Sequence, residues 1–93
     1  MKITYTPEAI DDLIRLREFI KVHNPKAAQR VAQTIKKKII QLKTFPLMGV
    51  GVEEAPDPEL IRDLITGNYI IRYFVYSHEV HILRIWHHKE KRL

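Results

Sequence analysis

The stretch that decides the fold is Asn68-Tyr69-Ile70-Ile71-Arg72-Tyr73-Phe74-Val75-Tyr76, then Ser77-His78-Glu79, then Val80-His81-Ile82-Leu83-Arg84-Ile85-Trp86-His87. It is dense in β-branched and aromatic residues, contains no Pro or Gly, and is interrupted only at Ser77-His78-Glu79, so it reads as a β-hairpin. Alternation puts Tyr69, Ile71, Tyr73 and Val75 on one face of the first strand and Ile70, Arg72, Phe74 and Tyr76 on the other. A strand apolar on both sides apart from one arginine is expected at the centre of a sheet, with helices over one face and partial cover on the other. The turn leaves the register open: a three-residue loop sets Arg72 opposite Arg84, and a two-residue loop is read as setting it opposite Ile85. Facing guanidinium groups repel unless an anion lies between them. The alternative, which the habits of arginine favour, is that each stem lies along the sheet with its head in water.

Outward from the hairpin, Leu60 to Thr66 is a short strand that reaches it through the turn Thr66-Gly67-Asn68. Before it, Val52 to Glu59 reads as an acidic irregular loop. Phe45-Pro46-Leu47-Met48-Gly49-Val50-Gly51 reads as a turn whose glycines permit positive φ, with Phe45 tucked under the helices. No phosphate-loop or dinucleotide motif accompanies those glycines.

The first half supplies the helices. Ile3 and Tyr5 alternate with polar residues and form a short strand. Thr6 then serves as N-cap, with Pro7 at the first helical position and Glu8, Asp11 and Asp12 favouring the positive helix end. The helix from about Pro7 to Val22 places Ala9, Leu13, Leu16 and Ile20 on one stripe, with Ile10 beside it and Phe19 at its edge, read as core. His23-Asn24-Pro25 ends it and starts a second helix, about Pro25 to Lys43, with Asn24 as cap and with Ala28, Val31, Ala32, Ile35, Ile39 and Leu42 at helical spacing. Its outer face carries Lys26, Arg30, Gln33, Lys37 and Gln41, and Ile40 points to the polar side. Such a basic stripe is more often a solvated face than a nucleic-acid site. The expected fold is α+β: an N-terminal strand and an antiparallel helical hairpin packed on one face of a mostly antiparallel sheet that three C-terminal strands complete.

Ninety-three residues with 45% hydrophobic content fit a single domain, 1–93. With no cysteine there is no disulfide framework and no thiolate metal site, which suits a reducing cytoplasm. No apolar signal core and no apolar run approaching the ~20 residues of a membrane span is present. A net charge of +5 favours an acidic partner, and the charge is uneven: residues 1–46 hold ten basic and four acidic groups, 47–66 one and five, 67–93 five and two. The residues after Trp86 read as a basic tail free of the core.

The sequence has no H-E-x-x-H, C-x-x-C or Gly-x-Ser-x-Gly motif. His87 and His88, read as strand neighbours, point to opposite faces and do not readily share a metal unless the strand has ended, so neither metal nor cofactor is expected. Metal-free ribonuclease chemistry needs a base, an acid and cations for a developing phosphorane charge. His87, His88, Arg62, Arg72, Arg84 and Lys89 supply those types.

Five segments in order, Asn24-Pro25-Lys26-Ala27-Ala28-Gln29-Arg30, Phe45-Pro46-Leu47-Met48-Gly49, Arg62-Asp63-Leu64, Tyr69 to Tyr73 and Ile82-Leu83-Arg84-Ile85-Trp86-His87, resemble the ParE and RelE superfamily of bacterial type II toxins. The resemblance covers nearly the whole chain and implies neutralisation by an antitoxin, ParD-like for the ParE branch, whose members are described as DNA gyrase inhibitors. In the ribonuclease branch, the position of a catalytic arginine falls on Ile70 here, and His88 stands where a tyrosine is usual, while His87 falls where the superfamily carries its C-terminal histidine. Gyrase inhibition is therefore the expected activity, with a ribosome-dependent ribonuclease or a non-toxic binding module as alternatives. Arg30, Lys37, Arg72, Arg84, Lys89, Lys91 and Arg92 are the expected partner-binding cations, and a homo-oligomer remains open. Sequence-specific DNA binding by this chain alone is not expected, because the antitoxin is expected to carry the operator-binding element.

Overall fold

A computed structural model describes residues 1–90. In chain order the elements are β1 (Lys2–Tyr5), α1 (Pro7–His23), α2 (Pro25–Gln41), β2 (Val50–Gly51), β3 (Ile61–Thr66), β4 (Tyr69–Tyr76) and β5 (Glu79–His87). The strands form one sheet in the order β1-β5-β4-β3-β2. β4 is central, as its two apolar faces require, and is antiparallel to both neighbours. β1 lies parallel to β5, with Ile3 opposite Val80 and Tyr5 opposite Ile82. The sheet is mixed, and the class is α+β.

Both helices begin where the sequence says. The Thr6 hydroxyl accepts from the Ala9 N–H at 3.1 Å and donates to the Leu83 carbonyl at 3.0 Å, so one cap also fastens the start of α1 to β5. Asn24 closes α1 by donating its N–H to the Ile20 carbonyl and opens α2 by accepting from the Ala27 N–H. The residues that point at the sheet form the core with its inner face: Ala9, Leu16, Ile35, Ile39 and Leu42 against Leu64, Ile71, Tyr73, Val80, Ile82 and Ile85.

Several expectations change. The hairpin turn has two residues, Ser77 and His78, both at positive φ (52° and 62°), as a primed turn demands. From Tyr76 opposite Glu79, an unbroken ladder would bring Arg72 to Leu83, not to Ile85. Leu83 is instead bulged out between the Tyr73–Ile82 and Arg72–Arg84 pairs, so Arg72 faces Arg84 after all. Val50 and Gly51 add a short edge strand to the expected order. Gly49 and Gly51 do not have positive φ; among the glycines only Gly67 does. They are needed for close approach: a Cβ on Gly49 would sit 2.8 Å from the Asp63 carbonyl and the Tyr73 hydroxyl, and one on Gly51 2.7 Å from the Pro58 carbonyl. The Tyr73 hydroxyl in turn accepts from the Gly49 N–H at 2.9 Å. Phe19 and Phe45 are exposed rather than core, each by more than half. Phe45 follows α2 on a loop with Pro46, Leu47 and Met48, which line a surface hollow instead of packing beneath the helices.

Candidate functional site

Arg72 and Arg84 face each other across the β4–β5 ladder, but no anion cradle lies between them. Arg72 turns toward β3, where its Nε and Nη2 donate to the two Asp63 carboxylate oxygens at 2.8 and 3.0 Å, and its guanidinium lies 5.1 Å from the Trp86 ring centroid. Arg84 turns the other way, to α1, and donates to both oxygens of Asp12 at 2.8 and 3.1 Å. These carboxylate bonds raise both guanidinium pKa values above the ordinary range. Neither arginine is the free, snorkelling side chain that the sequence suggested.

Asp12 is the residue that sequence reading missed. It is 3% exposed and covers the edge of β5 where β1 has ended, accepting from the Ile85 N–H at 2.9 Å besides Arg84 and Arg15. Burial pushes its carboxyl up, but Arg84, the Ile85 N–H and Arg15 together outweigh that and hold it below the usual carboxylate range.

From Arg15 the network continues to the C-terminal end. Arg15 pairs with Glu90, whose other carboxylate oxygen accepts from the His87 N–H at 2.9 Å. The Glu90 N–H donates to the His87 carbonyl and the His88 N–H to the Asn68 carbonyl. The segment after Trp86 is therefore tied to α1 and to the β3–β4 turn as far as Glu90, against the expectation of a free tail. Under it lies a mostly apolar cleft of about 510 Å³, lined by Leu16, Phe19, Ile20 and Tyr69, with Arg15, His87, Lys89 and Glu90 at its rim. Burial, with the Glu90 charge adding, raises the Tyr69 phenol above its ordinary value. The Tyr69 and His87 rings meet edge to face at 5.2 Å, and the His87 and His88 rings stack at 4.8 Å. His87 Nδ1 accepts from the Lys89 N–H, which leaves the neutral ring its proton on Nε2.

The expected ribonuclease set is thus divided. His87, His88 and Lys89 gather at the end of β5, with His87 beside Tyr69 on the helix side. Arg72 lies on the opposite face of the sheet. Arg62, opposite Tyr73 on β3 and so on the other face of the sheet from Arg72, donates to the Glu59 and Gly49 carbonyls at 2.8 Å and holds the loops on either side of β2. Arg30 and Lys37 lie exposed on α2 and do not line the cleft, and Lys91 and Arg92 fall outside the described residues. No group of three metal-ligating side chains gathers among the described residues, and none of their helices is long and apolar enough to cross a membrane.

Two helices on one face of a small mixed sheet agree with the class of small toxins that the segment order resembles. The family described as ParE toxin of type II toxin-antitoxin system, parDE, matches residues 3–92, and the chain belongs to it. A curated relative, "Toxin RelE2" of Caulobacter vibrioides, is 35% identical over 86 residues, covering 92% of this chain and 93% of that one. Among solved structures, the "Chromosomal ParDE TA system from P. aeruginosa" superposes with a TM-score of 0.76 at 25% identity, covering 94% of this chain and 95% of that one. HP0894 from Helicobacter pylori shares the fold, with a TM-score of 0.60 at 18% identity and 97% coverage of both chains. The chain is a toxin of a type II toxin–antitoxin system, and membership of the family implies a cognate antitoxin as partner.

Proposed function

We propose that this toxin arrests growth by inhibiting DNA gyrase through protein recognition and is neutralised by a ParD-like antitoxin. The observation that supports this is the division of the ribonuclease groups: a base, an acid and charge-stabilising cations have to lie within hydrogen-bond reach of one scissile phosphate. Here Arg72 and Arg84 are each held by a carboxylate, and His87 lies on the other side of the sheet from Arg72. A gyrase inhibitor needs a recognition surface and no such set. The cleft offers apolar anchors in Phe19, Leu16 and Tyr69, with Lys89 at its rim, for an acidic antitoxin segment that folds on binding.

The test measures plasmid supercoiling by purified gyrase and, in parallel, mRNA cleavage on translating ribosomes. Loss of supercoiling is expected, and deleting residues 91–93 is expected to weaken it while the domain, with its core and the Glu90–Arg15 pair intact, stays folded. Codon-positioned cleavage abolished by His87→Ala, with supercoiling untouched, overturns the gyrase reading in favour of the ribonuclease. Co-expression with a ParD-like antitoxin is expected to give a complex that weakens with salt; no complex at any ionic strength removes the partner from the proposal.

A further inference from the structure

We propose that the outer face of α2 is a docking surface for the phosphate backbone of duplex DNA, engaged without regard to base sequence. The first ground is charge. α2 carries Lys26, Arg30, Lys36, Lys37 and Lys38 and no acidic residue. Among the described residues, none of these cations forms an ion pair, although Arg15, Arg72 and Arg84 all do. Lys26, Arg30 and Lys37 share one side of the helix and span roughly 16 Å at the helical rise, with Lys36 and Lys43 flanking them.

The second ground is what the stripe lacks. Between Lys26 and Lys37 the other exposed side chains are Gln29, Gln33 and Thr34; the first exposed apolar one is Ile40, in the last turn. A peptide that orders on binding needs apolar anchors to offset the entropy it loses, and this face provides none over three turns. A polyanion needs none, because displaced counterions supply the favourable term. Phosphates also suit the shape: a helix of roughly 10–12 Å diameter fits a major groove of about 12 Å. An acidic protein segment is the competing occupant, and the lack of anchors disfavours it. This inference does not rest on gyrase being the target, since duplex binding is measured with gyrase absent.

The experiment titrates the full chain into a labelled random-sequence duplex of about 20 base pairs by fluorescence anisotropy, from about 50 to 200 mM salt. If Lys26, Arg30, Lys36, Lys37 and Lys43 all contribute, the log–log salt slope is expected near −4 to −5, about −0.9 per phosphate neutralised. Lys26→Gln/Arg30→Gln/Lys37→Gln is expected to reduce that slope by about 2.7 and to weaken binding at low salt at least ~10-fold. Lys26→Arg/Lys37→Arg is expected to retain both. A control, Lys2→Gln/Arg17→Gln/Lys21→Gln, changes the net charge equally and is expected to keep most of the affinity. Circular-dichroism melts establish that each variant is folded. Equal losses from the two triple variants would reduce the surface to net charge and overturn the proposal. So would a poly-glutamate of matched charge that binds more tightly than the duplex.

Discussion

α1 and α2 are each 17 residues long, each starts behind a polar cap with proline at the first position, and each lays an apolar stripe on the sheet. Their charges behave in opposite ways. α1 mixes Glu8, Asp11, Asp12 and Glu18 with Arg15, Arg17 and Lys21, and two of these, Asp12 and Arg15, are joined to β5 and the segment after it. α2 carries cations alone, and none is tied down among the described residues. The difference teaches that charge in this fold has two jobs. On α1 it locks a helix to a strand some seventy residues away; on α2 it forms no ion pair among the described residues, as the proposed polyanion surface requires.

The comparison breaks most easily at what the helices share. Ile35, 2% exposed on the inner face of α2, is expected to cost about 2–5 kcal/mol on truncation to Ala, from lost burial and the cavity left behind. A denaturant melt reads this directly, and an unchanged midpoint would mean that α2 does not pack as described. Asp12→Ala comes next. It strands the Arg84 guanidinium and the Ile85 N–H, and is expected to cost about 2–3 kcal/mol, below the range for a fully buried pair because the Arg84 head reaches solvent.

The same carboxylate carries a pH signature. Its folded pKa lies below the unfolded one, so its contribution is complete above the ordinary value of about 4 and is lost as pH falls through the folded value. Acid titration of stability is therefore expected to be shallower in Asp12→Asn than in the wild type; identical curves would remove Asp12 from the lock. Smaller still is Arg15 with Glu90, both partly exposed. A double-mutant cycle with Arg15→Gln and Glu90→Gln is expected to return a coupling of about 0.5–1 kcal/mol. At the bottom of the scale, Lys26→Gln, Arg30→Gln and Lys37→Gln are each expected to move stability by no more than about 0.5 kcal/mol. A larger loss would show that α2 charge also serves the fold.

What could be read from the sequence follows from the range of the interactions. Helix starts are local, and Thr6-Pro7 and Asn24-Pro25 give them within a residue. The β4–β5 hairpin is legible because alternation is a short-range pattern, and it assigned the two faces of β4 correctly. Asp12 was read only as a favourable first-turn acid because nothing near it in sequence points to Arg84, 72 residues on. The bulge at Leu83 leaves no mark in the pattern, since Leu83, Ile85 and Trp86 are apolar whichever face they take. Side-chain type alone points Phe19 and Phe45 inward, whereas their exposure depends on how α1 and the loop after α2 meet the sheet. His87 is visible in the sequence, but the cleft it lines needs Tyr69, Arg15 and Glu90 brought together from three separate segments.

The pairing of the first strand with the last has a consequence for the timing of synthesis. β1 and the start of α1 are made first, yet their partners are β5 and, through Asp12 and Thr6, the backbone around Leu83 and Ile85. Contacts this distant in sequence carry a loop-closure cost that slows folding. A nascent chain that lacks β5 has no neighbour for β1, offers Asp12 neither Arg84 nor the Ile85 N–H, and lacks Val80, Ile82 and Ile85 from the core. The pairing of β1, and with it the complete five-stranded sheet, can form only after the ribosome has read the codons of β5.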